Sequence, residues 1–516
     1  MSCFMGIDAG TSGIKAIVLD DTGTVLGVGY RECNLITPRP GWVEQNPLDW
    51  WEACSSAAAE AAAKSGRGME IEAIGFSGQM QGCTLMDRSM NPLGNCMIWL
   101  DQRAGKEAEE LSVLLEASEM LNITASYCLP SYWAAKLVWL RKNQPEVFQQ
   151  IHTVLFTKDY LRYQMTGEVA TEVSDASLTF LLDLKTRSWS PRMFEAVGLP
   201  KDIVPSRMLE SQDVAGHLKA DVAAAWGMKP GIPVVAGGGD QPAGGVGSGV
   251  VRSGMIAASI GTSGVVFGCC DTPFVDFQRR AIYSLCHSVP QKYSFLGCTL
   301  GAGGSFKWMR DTLFANQKDA FTAQGKDIYD HMTTLASQSP VGSEGLCFLP
   351  YLNGESTPHV DPDARGVFFG LSYRHGLGAM CSSVMEGVTF SLRDTIEILR
   401  ESGGLNITEV RAMGGGAKSA LWRQIQADVY NASVVTMNME EGPAAGAAIL
   451  AAVGSGRYAT VEEACDALLT VKTVTEPIPQ NVAVYNEFYQ TYRSLYPALR
   501  ESFHTQARII DRLSNH

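Results

Sequence analysis

The chain has 516 residues, of which 46% are hydrophobic and 18% are charged, and its formal net charge is −13. This balance is typical of a globular protein with large cores and excludes an intrinsically disordered chain. The acidic charge without any block of Lys or Arg argues against nucleic-acid binding, and no apolar run of about 18 residues predicts a membrane span, so we expect neither partner.

The 13 cysteines are scattered and form no C-x-x-C pair. This spacing argues against a structural zinc site and favours reduced thiols. Residues 1–8 predict a strand that begins at once, not a basic segment followed by the apolar stretch of a secretory leader. We therefore expect a cytoplasmic protein.

The N-terminal part begins with apolar runs separated by Gly and Asp turns, a pattern typical of hairpins, and then alternates helix with strand. The predicted strands are 3–7, 14–19, 25–30, 71–76 and 233–236. A helix is predicted over 47–64, with Asn46 as N-cap and Pro47 at its first position, and 131–167 is predicted to be mainly helical. This order indicates an α/β fold.

The pattern begins again near the middle of the chain. The predicted elements are strands 255–260, 265–267, 409–412 and 433–437, and helices 420–430, 443–453 and most of 482–512. The turn 261–264 repeats the sequence G-T-S-G of 10–13, again between apolar strands. Two such units predict two similarly built halves, and we place the domains at 1–250 and 251–516.

The two turns could bind phosphate. Asp8 ends the first strand, Thr11 and Ser12 lie in the turn, and Lys15 follows it. Backbone amides and hydroxyls suit phosphate oxygens, and a carboxylate suits the shell of Mg²⁺. The alternative is a hairpin whose Asp and Gly serve turn geometry alone. The second turn, with Thr262, favours two hairpins that face one phosphate chain across a cleft.

Asp240 follows three glycines, which allow a ligand to approach the backbone closely. A carboxylate there can accept a proton from an attacking hydroxyl, although Asp is also common as a helix N-cap, and both roles can hold together. The turn 414–416 joins a strand to a helix and could hold adenosine or phosphate, or could be a tight connection only.

Common motifs of other enzyme classes are absent from the sequence. It contains no G-x-x-x-x-G-K-[ST], no G-x-G-x-x-G and no H-E-x-x-H. These absences argue against a P-loop kinase, a dinucleotide-binding enzyme and a zinc protease.

Together, the motifs resemble those of the FGGY carbohydrate kinases along nearly the whole chain. The shared segments include D-A-G-T-S-G-I-K from Asp8, W-L-D-Q-R from Trp99, G-G-G-D-Q from Gly237, I-G-T-S-G from Ile260, L-P-Y-L-N-G-E-S-T-P-H from Leu349, G-G-G-A-K-S from Gly414 and E-G-P-A-A-G-A-A from Glu441. The resemblance implies two actin-like (ribonuclease-H-like) ATPase domains flanking a central cleft, with sugar bound mainly by the first and nucleotide mainly by the second. It also implies ATP and Mg²⁺ as cofactors.

The resemblance also assigns roles to individual residues. Asp240 matches the catalytic base, and Asp8 matches the carboxylate that holds Mg²⁺ through water. The residues implied in nucleotide binding are Thr11, Ser12, Lys15, Thr262, Gly303, Lys307, Gly415 and Gly416. Those implied in sugar binding are Met80, Gln81, Trp99, Asp101, Asp240 and Gln241.

Within the family, the chain is most similar to the members that phosphorylate D-xylulose, but three residues depart from their usual pattern. Gln81 replaces a His, Leu100 replaces an Asn, and Gln241 replaces an Asn. A site that hydrogen-bonds sugar hydroxyls changes its preference when such groups change. The expected phosphoryl acceptor is therefore a D-xylulose-like ketose, and the alternative is another ketose, a pentitol or a sugar acid.

Two further classes stay open on the sequence alone: a relative that senses sugar without turnover, and an actin-like ATPase of another function. A homodimer is expected only because cyclic dimers are the commonest oligomers.

Overall fold

The structure, a computed structural model, describes residues 2–277 and 281–514. Each half of this chain contributes one seven-stranded sheet. In order from one edge, the N-terminal sheet contains Val25–Glu32, Gly13–Asp20, Cys3–Ala9, Ile71–Gly78, Pro233–Val235 and Val214–His217, and Gly238–Gly239 also pairs with Ile71–Gly78. The C-terminal sheet contains Tyr283–Cys286, Tyr293–Thr299, Gly264–Cys270, Ile256–Ile260, Glu409–Gly414, Ser433–Met437 and Val471–Thr475.

The two sheets share one topology. Cys3–Ala9 pairs antiparallel with the strand after it and parallel with Ile71–Gly78. Ile256–Ile260 likewise pairs antiparallel with the strand after it and parallel with Glu409–Gly414. The two G-T-S-G turns therefore lie at equivalent places, and the predicted pair of similarly built α/β halves is confirmed.

Helices cover the sheets and connect their strands. The helices of the N-terminal half are Pro47–Ser65, Gly105–Leu111, Ala117–Thr124, Trp133–Asn143, Pro145–Phe148, Thr157–Thr166, Val173–Ala176, Pro191–Val197, Ala220–Trp226 and Asp240–Gly247. Those of the C-terminal half are Gly303–Leu313, Ala315–Ala323, Ile328–Ala336, Leu377–Glu401, Ala420–Tyr430, Gly442–Gly454, Val461–Leu468 and Pro479–Ser514. Short strands outside the two sheets are Glu44–Gln45, Thr84–Met86, Cys96–Met97, Thr153–Leu155, Thr171–Glu172, Leu182–Asp183, Ser188–Trp189, Met208–Leu209, Cys347–Leu349 and Val367–Phe369.

Local sequence signals account for several helix ends. Asn46 caps the first long helix, because its side chain accepts the backbone N–H of Leu48 at 3.0 Å, and Pro47 takes the first helical position. Both predictions are confirmed. The segment predicted to be mainly helical over 131–167 is interrupted by the strand Thr153–Leu155, so that prediction is only partly correct.

The halves interlock through one helix. Gly442–Gly454 belongs to the second half in sequence but packs on the N-terminal sheet and on helix Asp240–Gly247. A Cβ atom at Gly446 would overlap the backbone oxygen of Ala243, so the two helix backbones touch. The last strand of the N-terminal sheet ends at Gly239, and the first strand of the C-terminal sheet begins at Ile256. The exact domain boundary at residue 250 stays a prediction.

Among the residues that the structure describes, no helix combines the length and apolar character needed to cross a membrane.

Candidate active site in the cleft

Asp240 is the first residue of helix Asp240–Gly247 and is half-buried, with Gly239 in the capping position. The Asp240 pKa rises to about 7, first because burial disfavours the charged carboxylate and second because Asp8 is also negative. Hydrogen bonds from Gln241 oppose this rise. A carboxyl group that changes charge near neutral pH is suited to accept a proton from a hydroxyl.

Asp8 lies near the end of strand Cys3–Ala9 and accepts a hydrogen bond from the hydroxyl of Ser77 at 3.0 Å. Burial raises its pKa to about 6, against the opposing influence of Ser77 and Lys15. The pKa values of both Asp8 and Asp240 are raised chiefly by burial, and Lys15 offsets only part of this rise at Asp8. This chemistry fits a hydrated divalent cation, for which carboxylate oxygens are the preferred protein ligands.

The first turn is joined to a network of glutamines. Thr11 donates to Gln79 Oε1 at 3.1 Å and accepts from the indole N–H of Trp99 at 2.9 Å. The Gln45 amide donates to the Thr11 carbonyl at 2.9 Å, and Gln79 donates to Gln45 at 2.7 Å. Gln45 and Gln79 were not predicted as site residues. Gln79 directly follows strand Ile71–Gly78, and a polar side chain at that place was the sequence signal that could have indicated one of them.

Met80 and Gln81 approach the same region. Met80 packs against Gly239, because a Cβ atom there would lie 2.7 Å from Met80 Cγ. Gln81 has a φ of 68°, and its carbonyl accepts from the buried Lys136 ammonium at 2.9 Å. Lys136 also donates to the carbonyls of Met97 at 2.9 Å and Ile98 at 3.0 Å, so one lysine fixes the backbone on both sides of the predicted sugar site.

Asp101 is fully buried and its carboxylate is engaged inside the protein. Arg103 Nε lies 2.9 Å from Asp101 Oδ1 and Arg103 Nη2 lies 2.7 Å from Oδ2. The Val43 N–H adds a bond of 2.8 Å to Oδ2. These contacts hold the loop that carries Trp99, whose side chain is 44% exposed. Asp101 therefore supports the predicted sugar side at least through the backbone.

A second region, the nucleotide-side cavity, has a volume of about 710 Å³ and lies in the C-terminal half. Its lining includes the predicted residues Thr262, Gly303, Lys307, Gly415 and Gly416. The other predicted phosphate residues, Thr11, Ser12 and Lys15, do not line it and belong to the opposite hairpin. The lining residues that were not predicted are Ile260, Gly261, Gly304, Phe306, Asp327, Tyr329, Asp330, Thr333, Thr334, Lys418, Ser419, Ala420, Leu421 and Trp422.

The second turn holds the start of helix Gly303–Leu313. The Thr262 carbonyl accepts from Ala302 N at 3.2 Å and from Gly304 N at 3.0 Å. A Cβ atom at Gly303 would overlap the Gly261 carbonyl oxygen, so only glycine fits this approach. The N-terminus of that helix borders the cavity, where the positive end of the helix dipole favours an anion.

The two predicted lysines already have carboxylate partners. Lys15 Nζ lies 2.9 Å from Glu441 Oε2, and Lys307 Nζ lies 3.2 Å from Asp311 Oδ2. All four side chains are at least one quarter exposed. Exposed ion pairs of this kind contribute only about 0–1 kcal/mol, so both lysines can exchange a carboxylate for a phosphate at little cost.

Comparison with known proteins identifies the family. Residues 3–247 match the N-terminal domain, and residues 256–455 match the C-terminal domain, of the "FGGY family of carbohydrate kinases". The chain is 36% identical over 497 residues to a xylulose kinase of Escherichia coli (strain K12), covering 96% of this chain and 99% of that one. It is 35% identical to a xylulose kinase of Bacillus subtilis (strain 168), covering 96% and 97%.

Solved structures agree with this assignment. A "xyloylose kinase" from Brucella ovis superposes with a TM-score of 0.87 at 33% identity, covering 97% of this chain and 99% of the other. A ligand-bound xylulose kinase from Lactobacillus acidophilus gives a TM-score of 0.89 at 26% identity, covering 98% and 100%. The predicted fold class, α/β with two actin-like domains around a cleft, is confirmed. The chain belongs to the FGGY family of carbohydrate kinases and is a phosphotransferase that takes its phosphoryl group from ATP.

Proposed function

We propose that this kinase phosphorylates a hydroxyl of D-xylulose or a closely similar ketose, with Asp240 as the general base. The observation that carries the proposal is the position of Asp240: a half-buried carboxyl with a pKa of about 7, beside Asp8, at the start of a helix. The relatives named xylulose kinase, matched over nearly their full length, support the choice of sugar.

In this mechanism, Asp240 accepts the proton of the sugar hydroxyl as that oxygen attacks the γ-phosphorus in line, and the bond from the γ-phosphorus to the bridging oxygen breaks to release ADP. Phosphoryl transfer depends mainly on positioning and on stabilisation of charge on the transferring oxygens. The nucleotide-side cavity would hold the adenosine near Gly415 and Gly416 and the phosphates near Thr262 and Gly303. Thr11, Ser12 and Lys15 would contact the phosphates from the opposite hairpin, and Lys307 would approach them from the C-terminal half.

We assign Mg²⁺ to Asp8, which would hold it through water. The ion would supply positive charge beside the transferring phosphoryl oxygens. The raised pKa of Asp8 supports this assignment, because a carboxyl desolvated by burial gains from a nearby cation.

The sugar would contact Met80, Gln81, Trp99, Asp240 and Gln241, and the buried Asp101 would hold the loop that carries Trp99. The hydrogen bond from Trp99 to Thr11 supports a coupling between the sugar and the phosphate hairpin. Gln81 and Gln241 differ from the pattern usual in relatives that phosphorylate D-xylulose, so acceptor preference must be tested directly. A neighbour titled gluconate kinase, from Lactobacillus acidophilus, has a TM-score of 0.88 at 26% identity.

The experiment is ADP release with Mg-ATP against D-xylulose, other ketoses, pentitols and gluconate. We expect D-xylulose to raise the rate by orders of magnitude over the sugar-free background. Asp240→Asn should lower kcat by about 10²–10⁴ while ATP still binds, as is typical when a general base is removed. If a pentitol or gluconate gives the highest rate, that compound replaces D-xylulose as the proposed acceptor. Near-normal turnover in Asp240→Asn would show that Asp240 is not the general base.

We also propose that the protein is cytoplasmic and a homodimer, that it has no nucleic-acid or membrane partner, and that its domains span 1–250 and 251–516. Light scattering tests the dimer, and limited proteolysis of the whole chain tests the boundary.

A further inference from the structure

Five charged side chains form a buried charge network beside the active site, and the proposed mechanism uses none of them. The network consists of Lys158, Asp159, Arg162, Glu172 and Asp175, whose side chains are all 0% exposed. Lys158 Nζ lies at its centre, 3.1 Å from Asp159 Oδ1 and 3.2 Å from Glu172 Oε1. Asp175 Oδ2 lies 3.0 Å from the same nitrogen.

The network has three carboxyl groups and two cations, so full ionisation would leave one negative charge buried. Such a charge is costly in a low-dielectric interior. Burial raises the pKa of Asp175 to about 8, despite the nearby Lys158, which favours the protonated carboxyl at neutral pH. The remaining charges then balance. In a fully enclosed network of this kind, each side chain restrains the others through the ion pairs that join them.

Glu172 connects the network to the residue before Asp240. Ser174 donates to Glu172 through its N–H at 2.6 Å and through its hydroxyl at 2.9 Å. The same hydroxyl oxygen accepts the N–H of Gly239 at 3.0 Å. Gly239 caps helix Asp240–Gly247 and directly precedes Asp240, so this chain of contacts ends one residue before the proposed base.

Two further contacts hold the start of the same segment. Ser211 donates to Glu172 Oε2 at 3.2 Å, and the Ser211 carbonyl accepts from Gly237 N at 2.8 Å. Arg162 donates to the carbonyl of Ala236 at 2.9 Å. Ala236, Gly237 and Gly239 are thus each bonded to the network or to a residue that it holds.

The held segment has little room to shift. Gly237 has a φ of 77°, and a Cβ atom there would overlap the carbonyl oxygen of Phe76. Gly238 and Gly239 then pair with the end of strand Ile71–Gly78. Residues that are enclosed in this way can fix a catalytic group within a fraction of an ångström, which its rate contribution requires.

We propose that Glu172 and Ser174 are positioning residues for Asp240, acting through the N–H of Gly239 and supported by the buried charge network. This inference rests on the proposed role of Asp240 as base. Neither residue touches a reacting atom; they determine where the carboxylate of Asp240 stands relative to the attacking hydroxyl.

The test is Ser174→Ala, which removes the hydroxyl that accepts the Gly239 N–H and changes no charge. The matched control is Ser177→Ala. Ser177 is also buried; its hydroxyl accepts the N–H of Cys286 at 2.9 Å and donates to the Val173 carbonyl at 2.7 Å, and it does not bond to 236–239. The acceptor is D-xylulose, or the best acceptor of the panel. We expect Ser174→Ala to lower kcat about 10–100-fold, with the KM for ATP within about twofold, and Ser177→Ala to keep kcat.

Double variants separate positioning from a general loss of structure. In the Asp240→Asn background, Ser174→Ala should lower kcat by less than about twofold, because no base remains to be placed. Glu172→Gln should behave like Ser174→Ala, and if it fails to fold, the serine variants still decide. Wild-type kcat in Ser174→Ala, or the same loss with and without Asp240, would overturn the inference. Normal turnover in Asp240→Asn would instead overturn the proposed function.

Discussion

The two G-T-S-G turns occupy equivalent places in their sheets but have different surroundings. In the first, residues 10–13 separate the last strand pair, Ala9 and Ile14; in the second, only residues 261–263 separate Ile260 and Gly264. The position of Asp8 is taken by Ser259 in the second unit, and the position of Lys15 by Val266. The first hairpin is therefore charged and the second is not.

Their contacts differ in the same way. Thr11 bonds through its side chain to Gln79 and Trp99, on the predicted sugar side. Thr262 bonds through its carbonyl to Ala302 and Gly304, at the nucleotide-side cavity. We therefore propose that one scaffold serves two purposes: side-chain chemistry in the first half and backbone anion binding in the second. The predictions below test this division.

The largest expected effect comes from the charged position. Asp8→Asn should lower kcat about 10²–10³-fold, because it removes a charge that acts at the transferring phosphoryl group. Ser259→Ala, at the equivalent position of the second hairpin, should change kcat less than about twofold. Steady-state ADP release measures both. Equal losses would show that the two hairpins contribute in the same way.

Adding a methyl group should impair ATP binding and stability more at the second hairpin than at the charged first hairpin. Gly303→Ala places a Cβ against the Gly261 carbonyl and should raise the KM for ATP about tenfold and destabilise the fold by about 1–3 kcal/mol. Gly10→Ala places a Cβ 3.4 Å from the Gly13 oxygen and 3.8 Å from Asp8 Oδ2, which is ordinary contact, and should have a smaller effect on both. Thermal unfolding and ATP titration distinguish them. A greater loss in Gly10→Ala would contradict the division.

The carboxyl groups near the first hairpin should make stability and activity respond to pH in opposite directions. The pKa of Asp240 rises from 3.8 to about 7 on folding, so the folded state binds the proton more tightly than the unfolded state. Its contribution to the free energy of unfolding therefore falls as pH rises from about 4 to 7, whereas kcat/KM rises as pH passes about 7.

Asp240→Asn should remove this dependence. At pH 8 the variant should be more stable than the wild type by on the order of 1 kcal/mol, less than the full shift implies because the site is partly solvated. At pH 4, close to the pKa of the unfolded state, the two should be alike. Urea unfolding at the two pH values measures the difference. A less stable variant at pH 8 would mean that the buried charge is already compensated.

The smallest effect concerns the ion pair of the first hairpin. Lys15→Met should raise the KM for ATP a few-fold, whereas Glu441→Gln, which removes the same pair, should leave it unchanged. Either substitution should change stability by less than about 1 kcal/mol, because both side chains are partly exposed. If both variants raise the KM for ATP equally, ATP binding depends on the ion pair between Lys15 and Glu441 and not on the charge of Lys15 alone.

Much of the fold could be predicted from local sequence. Helix Ala420–Tyr430 is observed at its predicted bounds, because Ser419 caps it and Asn431 ends it in the left-handed region. The strand Thr153–Leu155 was missed for a physical reason. Its partner is Thr84–Met86, far away in the chain, so long-range pairing decides its conformation over helical surroundings.

The candidate site divides in the same way. Asp8, Asp240 and Thr262 lie in or beside glycine-rich turns, so their local sequence pattern was enough to predict them as site residues. Tyr329 and Trp422 line the nucleotide-side cavity from separate segments, and only the folded chain brings them together. The buried charge network also joins distant segments, so no local pattern marks Glu172 as a neighbour of the residues before Asp240.

The contact between helices Asp240–Gly247 and Gly442–Gly454 has a mechanical consequence. Their backbones meet at Gly247 and Gly446, where added methyl groups would overlap the partner helix, and no slack is left for the halves to separate there. We expect any opening of the cleft to preserve this contact and to proceed as a rotation about it. Asp240, on the same short helix, would then move less than the parts of the cleft that lie far from the contact.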